Sequence, residues 1–222
     1  MENTTTNVSD KEMQISETVI NRLIGLEWDF FQKTRNISGR ASCQDNYDMF
    51  YAMRRSQWAS LWPDVVRSCL QDDLDAKNSG RNPVAEKYGY MMMTDAPAEY
   101  EKIRSLLPAV SQEKAVLVEK IVSVFLRWYE ELIPVLPLFM KHGRNLHTSS
   151  DSIYGASVET YLRGELKTYS EATLQLWLTL AEEEETAGLN RVKKIYDATA
   201  GFYGYASAEE LEQSLRLSGQ PY

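Results

Sequence analysis

From residue 16 to residue 217, apolar side chains recur three and four positions apart, and no run alternates convincingly as a strand would. That spacing places side chains on one face of a helix, whereas a half-buried strand needs a two-residue period. The punctuation agrees with the period. Pro63, Asn82-Pro83, Gly188 and Asn190 stand where one apolar run stops and the next begins, as first-turn prolines, N-caps and C-caps do. The expectation is an all-α fold: a single multi-helix bundle over residues 13–217, with a disordered tail at 1–12 and a short tail at 218–222.

With 222 residues and a net charge of -8, the chain supports one large or two small domains and argues against a general nucleic-acid binder. The basic stripe Arg191, Lys193 and Lys194 is too short to reverse that. Two cysteines, Cys43 and Cys69, make no disulfide framework and suit free thiols in a cytoplasm. The N-terminal residues lack an apolar signal core. The longest apolar stretch, 115–140, is interrupted by Lys120, Arg127, Glu130, Glu131 and two prolines, so no membrane span is expected. A homodimer is left open.

The helices expected from the period run over 16–34, 46–61 (capped by Asp45), 63–79, 83–93, 98–107, 111–132, 157–187, 190–201 and 206–217. In the first, Glu27 falls inside the stripe Ile20, Leu23, Ile24, Phe30 and Phe31. In the second, Arg54 and Gln57 share the face of Met49, Phe50, Met53, Trp58 and Leu61. In the long helix, Glu165 interrupts Val158, Tyr161, Leu162, Tyr169, Ala172 and Leu176. A carboxylate on a core face needs a partner or a purpose, because burying it alone is costly.

The chain also reads as two related halves, about 16–95 and 111–205, joined by a pseudo-twofold axis. Leu26-Glu27-Trp28 is similar to Leu126-Arg127-Trp128. Gly39-Arg40 matches Gly143-Arg144, Gly80-Arg81-Asn82 matches Gly188-Leu189-Asn190, and a Tyr-Gly-Tyr closes each half at Tyr88 and Tyr203. Such a duplication would bring the two Gly-Arg loops and the two polar-striped helices around one hydrated hollow.

Glu27 and Glu165 are therefore the candidate acid and base, with Arg40, Arg54 and Arg163 orienting a substrate. Cys43, Gln44, Asp45, Gln57, Glu159, Tyr161 and Tyr169 complete the expected binding set. The plainer reading is a structural ion-pair network holding helices in register, with Arg40 and Arg144 serving as helix caps or packing on tryptophan. Cys43 has no histidine placed beside it by sequence, which weakens it as a nucleophile. His142 and His147, the only histidines, are too few for a di-iron site, so no metal is expected. Asp72-Asp73-Leu74-Asp75 reads as a solvated acidic face, Glu182 to Glu185 as a charged helix end, and Met91 to Met93 as core. No dinucleotide fingerprint, phosphate loop or nucleophile elbow is present, and no cofactor is expected.

Glu27-Trp28 with Phe31, Gly39 to Asp45, Phe50 and Arg54 to Gln57, then Ser157 to Ser170 with Thr173-Leu174, resemble the two signatures of the bacterial domain-of-unknown-function family 4125. The resemblance covers about residues 15 to 205. It implies a bacterial cytoplasmic protein and supplies no reaction. The first functional reading is a protein that binds or converts a small polar metabolite, amino-acid-like or carboxylate. The alternative is a non-catalytic helical interaction or regulatory module.

Overall fold

The computed structural model describes residues 16–35, 39–141, 143–152 and 155–218. Among them are eleven α-helices and no strand beyond one isolated bridge between Ser152 and Gly155. The expected tail at 1–12 and residues 219–222 of the expected tail at 218–222, together with Asn36, Ser38 and His142, lie outside the described residues, while Ser218 ends the last helix. The helices are α1 (Glu17–Lys33), α2 (Tyr47–Ala59), α3 (Pro63–Asn78), α4 (Pro83–Asp95), α5 (Pro97–Ile103) and α6 (Gln112–Leu132). They continue as α7 (Pro137–Lys141), α8 (Val158–Leu166), α9 (Glu171–Thr186), α10 (Arg191–Phe202) and α11 (Ala208–Ser218).

The caps follow from side-chain chemistry. Asn82, Ser111, Ser157 and Asn190 each accept a hydrogen bond from the backbone amide three residues on, which satisfies a donor that the helix itself leaves open. Asn82 and Asn190 also donate from Nδ2 to a carbonyl of another helix, Phe30 O and Trp128 O, both at 2.9 Å. The turn between α9 and α10 uses Gly188 at φ +68°, where a Cβ would be strained.

One core joins most of the helices. Ile20, Leu23 and Ile24 of α1 meet Val65, Val66 and Cys69 of α3, while Val118, Ile121 and Phe125 of α6 meet Leu174, Trp177 and Leu178 of α9. Each such side chain contributes roughly 1.5–3 kcal/mol on burial. Helix α1 packs on α2, α3 and α4; α6 packs on α8, α9 and α10. Across these groups α3 packs on α9, α4 on α8 and α2 on α10.

Four expectations are corrected. The expected helix over 157–187 is two helices, broken at residues 167–170. Thr168 Oγ1 donates to Glu165 O, Ser170 Oγ accepts from Thr173 N, and Asp72 accepts from Ser170 N. Local hydroxyl bonds of this kind compete with the helix ladder without any Gly or Pro to announce them. The break shifts the phase of the stripe, so Ala172 and Leu176 are exposed and Leu174, Trp177 and Leu178 face inward. The cap of α2 is Asn46, which accepts from Met49 N, while Asp45 pairs with Arg40 instead. Met49 and Met53 face solvent, because α2 buries one edge through Trp58 and another through Ser56. Of the methionine run, Met91 is core and Met93 is exposed.

Candidate functional site

Five helices each send one charged side chain into the same interior region: Glu27 from α1, Arg54 from α2, Asp73 from α3, Lys87 from α4 and Glu165 from α8. All five sit where the apolar period of their helix calls for a core residue. Arg54 is the hub. Its Nε donates to Glu27 Oε2 at 2.9 Å and its Nη2 to Glu27 Oε1, a two-pronged fork. Its Nη1 donates to Glu165 Oε1 at 3.1 Å and to Gln57 Oε1 at 2.8 Å. Trp58 Nε1 adds a third donor to Glu27, at 3.0 Å. The guanidinium also lies 4.7 Å from the Trp58 ring centroid, a cation–π distance.

Glu165 gathers the second cation. Lys87 Nζ donates to Glu165 Oε2 at 3.1 Å and to the Tyr161 hydroxyl at 2.6 Å. The Tyr169 hydroxyl donates to Glu165 Oε1 at 3.3 Å. Burial alone would raise the Glu165 pKa, but Arg54 and Lys87 outweigh it and hold the carboxyl down at about 2. Glu165 is therefore a fixed charge and a weak base.

Asp73 is the reverse case. It is 4% exposed, and none of the described residues hydrogen-bonds to its carboxyl. Burial, then Glu27, drives its pKa well above the usual aspartate range, with Arg54 opposing. Two carboxylates and two cations thus cancel, and the third acid favours its neutral form. Because the folded state binds Asp73's proton more tightly than the unfolded state, stability falls as pH rises past the unfolded aspartate value. Asp73→Asn removes that loss. Its melting temperature should exceed wild type by several degrees at pH 8. The gain should vanish toward pH 4, as a thermal-melt pH series would show. A loss at pH 8 would mean that the ionised carboxylate is held by a favourable partner.

Helices α4 and α8 approach closely enough for Lys87 to reach Glu165 because Gly164 faces Met91 and the Lys87 carbonyl. A Cβ at Gly164 would lie 2.8 Å from Met91 Cγ and 3.0 Å from Lys87 O. The methionine can rotate away but the carbonyl cannot. Gly164→Ala should cost about 1–3 kcal/mol in chemical denaturation despite alanine's better helix propensity. Gly25→Ala, with nothing within 4 Å of the new methyl, should gain about 0.5–1 kcal/mol. Equal effects of the two would remove the packing argument.

The structure unites Glu27, Arg54, Gln57, Glu165, Tyr161 and Tyr169, all named from the sequence. The centre differs from the expected hydrated hollow: the Arg54 guanidinium fills it, bonded to both acids. The remaining candidates lie outside. Arg40 pairs with Asp45 and Gln32 and donates to Gln44 O. Gln44 is buried and closes its own loop onto Phe31 O and Thr34 O. Arg163 forks onto Glu119 and also binds Glu159, which accepts from Thr148 N. Cys43 is exposed, and together with Arg144 it lies near the Tyr88 hydroxyl.

Lys87 and Asp73 were not singled out. Both obey the rule that found Glu27. Lys87 stands among buried Pro83, Tyr90 and Met91, and Asp73 four residues after Cys69. The Asp72–Asp75 segment is accordingly no uniform solvated face: Asp72 binds Ser170 N, Asp73 is buried and Asp75 binds Gln71. Among the described residues no group of His, Cys, Asp and Glu has a geometry fit to hold a metal ion, and no helix is long and apolar enough to cross a membrane. A separate open groove of about 630 Å³ runs between α6 and α9. Its Arg127 pairs with Glu185 and its Glu119 with Arg163.

An all-α bundle of short helices around one buried, charge-balanced centre is the class this architecture defines. The chain belongs to the family described as Protein of unknown function (DUF4125), which matches residues 17–213. No curated protein and no solved structure matches it.

Proposed function

We propose that this protein binds, or binds and converts, a small polar metabolite of carboxylate or amino-acid-like character, in the bacterial cytoplasm, beside the Glu27–Arg54–Glu165–Lys87 network. The observation that carries the reading is the convergence of five charged residues from five helices on one interior region. A register-holding ion pair needs two such residues, and each further buried charge adds desolvation cost without adding register. In this reading Glu27 and Glu165 aim Arg54 and Lys87. Any proton exchanged with the ligand travels by Asp73, the acid whose pKa burial raises.

The packing pattern supports two related halves. Exchanging α1, α2, α3 and α4 for α6, α8, α9 and α10 turns every pairing described above among these helices into another of them or, for α3 with α9, into itself. The Arg54–Glu165 bond then joins the corresponding helices α2 and α8, one from each half. A pocket between the halves would have this bond as its floor.

Native mass spectrometry of the purified chain tests the reading. A co-purifying small molecule is expected in wild type and lost in Glu165→Gln and Arg54→Lys variants that retain the wild-type far-ultraviolet spectrum. If both variants keep the same adduct, or wild type carries none and no amino or carboxylic acid in a metabolite panel raises its melting temperature, the network is a structural one.

A further inference from the structure

We propose that the outer edge of this network is a seat for an oxyanion, a carboxylate or phosphate group, formed by Lys87, Tyr88, Arg144 and Tyr161. It rests on the reading above and adds the charge of the ligand and the side chains that recognise it.

Two cations share one tyrosine ring here. Lys87 Nζ lies 3.9 Å from the Tyr161 ring centroid and Arg144 Cζ lies 4.8 Å from it. Lys87 is also 5.5 Å from the Tyr88 ring centroid. Both cations sit against the same ring, and like charges near one another raise each other's energy unless an anion stands between them. Glu165 answers Lys87, but among the described residues no carboxylate answers Arg144, whose hydrogen bond goes to Ala156 O at 3.0 Å. With the interior charges already cancelled, the exposed Arg144 adds a positive charge beside the Tyr161 ring.

The hydrogen bonds left open are of one kind. Lys87 engages two of its three N–H donors, with Tyr161 and Glu165. The Tyr161 hydroxyl accepts from Lys87 and has its own proton to give. The Tyr88 hydroxyl has no hydrogen bond among the described residues, and it keeps its proton because burial, with Tyr161 beside it, pushes it up to about 12. Arg144 adds a guanidinium whose fork matches a carboxylate or phosphate. An ammonium or metal cation would meet two positive charges, whereas an oxyanion can accept from all four groups. The side chains come from α4, α8 and the loop before α8, so the seat is held from both halves of the chain. The position was hidden in the sequence because Arg144 and Lys87 are 57 residues apart and only packing puts them on the same ring.

The test is titration of the full chain with sodium phosphate, sodium succinate and sodium chloride at matched ionic strength, read by melting temperature and calorimetry. Phosphate or succinate should stabilise wild type saturably beyond chloride. Arg144→Gln should weaken the apparent Kd tenfold or more and Tyr88→Phe several-fold, with unchanged far-ultraviolet spectra. A response to phosphate alone assigns a phosphate-bearing ligand, and a response to succinate alone a carboxylate. No saturable effect of either anion, or an unchanged Kd in Arg144→Gln, overturns the seat. If Arg144→Gln binds normally while Glu165→Gln loses a co-purified metabolite, the seat falls and the wider reading stands. If Arg144→Gln loses the anion while Glu165→Gln and Arg54→Lys change nothing, the seat stands and the role given to the network falls.

Discussion

Arg54→Met should lower this protein's melting temperature at neutral pH by about 6–20 °C. Removing the guanidinium leaves Glu27 facing only Trp58 Nε1 and leaves Glu165 to Lys87 and Tyr169. Breaking one partner out of a buried charge network costs about 3–5 kcal/mol, and a chain of this size shifts by about 2–4 °C per kcal/mol. The pH dependence has a fixed sign. In wild type the Glu165 pKa is depressed from 4.5 to about 2, so its contribution is complete above about 4.5 and lost as pH falls toward 2. Without Arg54, burial raises Glu165 and it takes up its proton sooner. The deficit of Arg54→Met should therefore be largest near pH 7 to 8 and narrow toward pH 4. A deficit that is small or constant across that range would show that Arg54 does not hold the acids. Adding Glu27→Gln to Arg54→Met should restore part of the stability but none of the ligand binding.

The second large effect concerns a pair with no proposed role in binding. Glu184 and Arg191 are 0% and 2% exposed. Arg191 Nε donates to Glu184 Oε2 at 2.7 Å and its Nη2 to Oε1, and Lys194 Nζ lies 3.5 Å from the same carboxylate. The pair clamps α9 to α10 across the Gly188 turn, where Leu189 N also donates to Glu184 O. Glu184→Gln removes the carboxylate that the buried Arg191 guanidinium forks onto and should cost about 3–5 kcal/mol in chemical denaturation. Replacing both residues, Glu184→Leu with Arg191→Met, should recover most of the loss, since apolar residues of similar volume avoid the desolvation cost altogether. A single variant within 1 kcal/mol of wild type would contradict this account. The two experiments separate the two kinds of buried charge: the double replacement is harmless at the clamp and abolishes binding at the centre.

Much of the centre was legible because burial leaves a mark in a periodic pattern. Glu27 and Glu165 interrupt apolar stripes, and Arg54 and Gln57 share a face with Trp58. The same mark lies on Lys87 and Asp73, but a neighbouring aromatic run and acidic run disguise it. Arg40 and Arg163 carry no such mark, and they pair in the loop and on the outer face of α8. The break at 167–170 left no trace in the period, since hydroxyl side chains redirect a few hydrogen bonds without changing which residues are apolar.

The sequence alone determined that this chain is helical, where most helices begin and end, and which charged residues turn inward, because these are consequences of spacing, caps and side-chain chemistry within one turn of the chain. The tertiary structure decided which of those charges meet, that Arg54 closes the centre instead of leaving it open, and that Lys87 and Arg144 share a tyrosine. Those outcomes depend on how far apart and at what angle helices pack. That is set by contacts such as Gly164 against the Lys87 carbonyl, which join residues distant in sequence and leave no periodic trace.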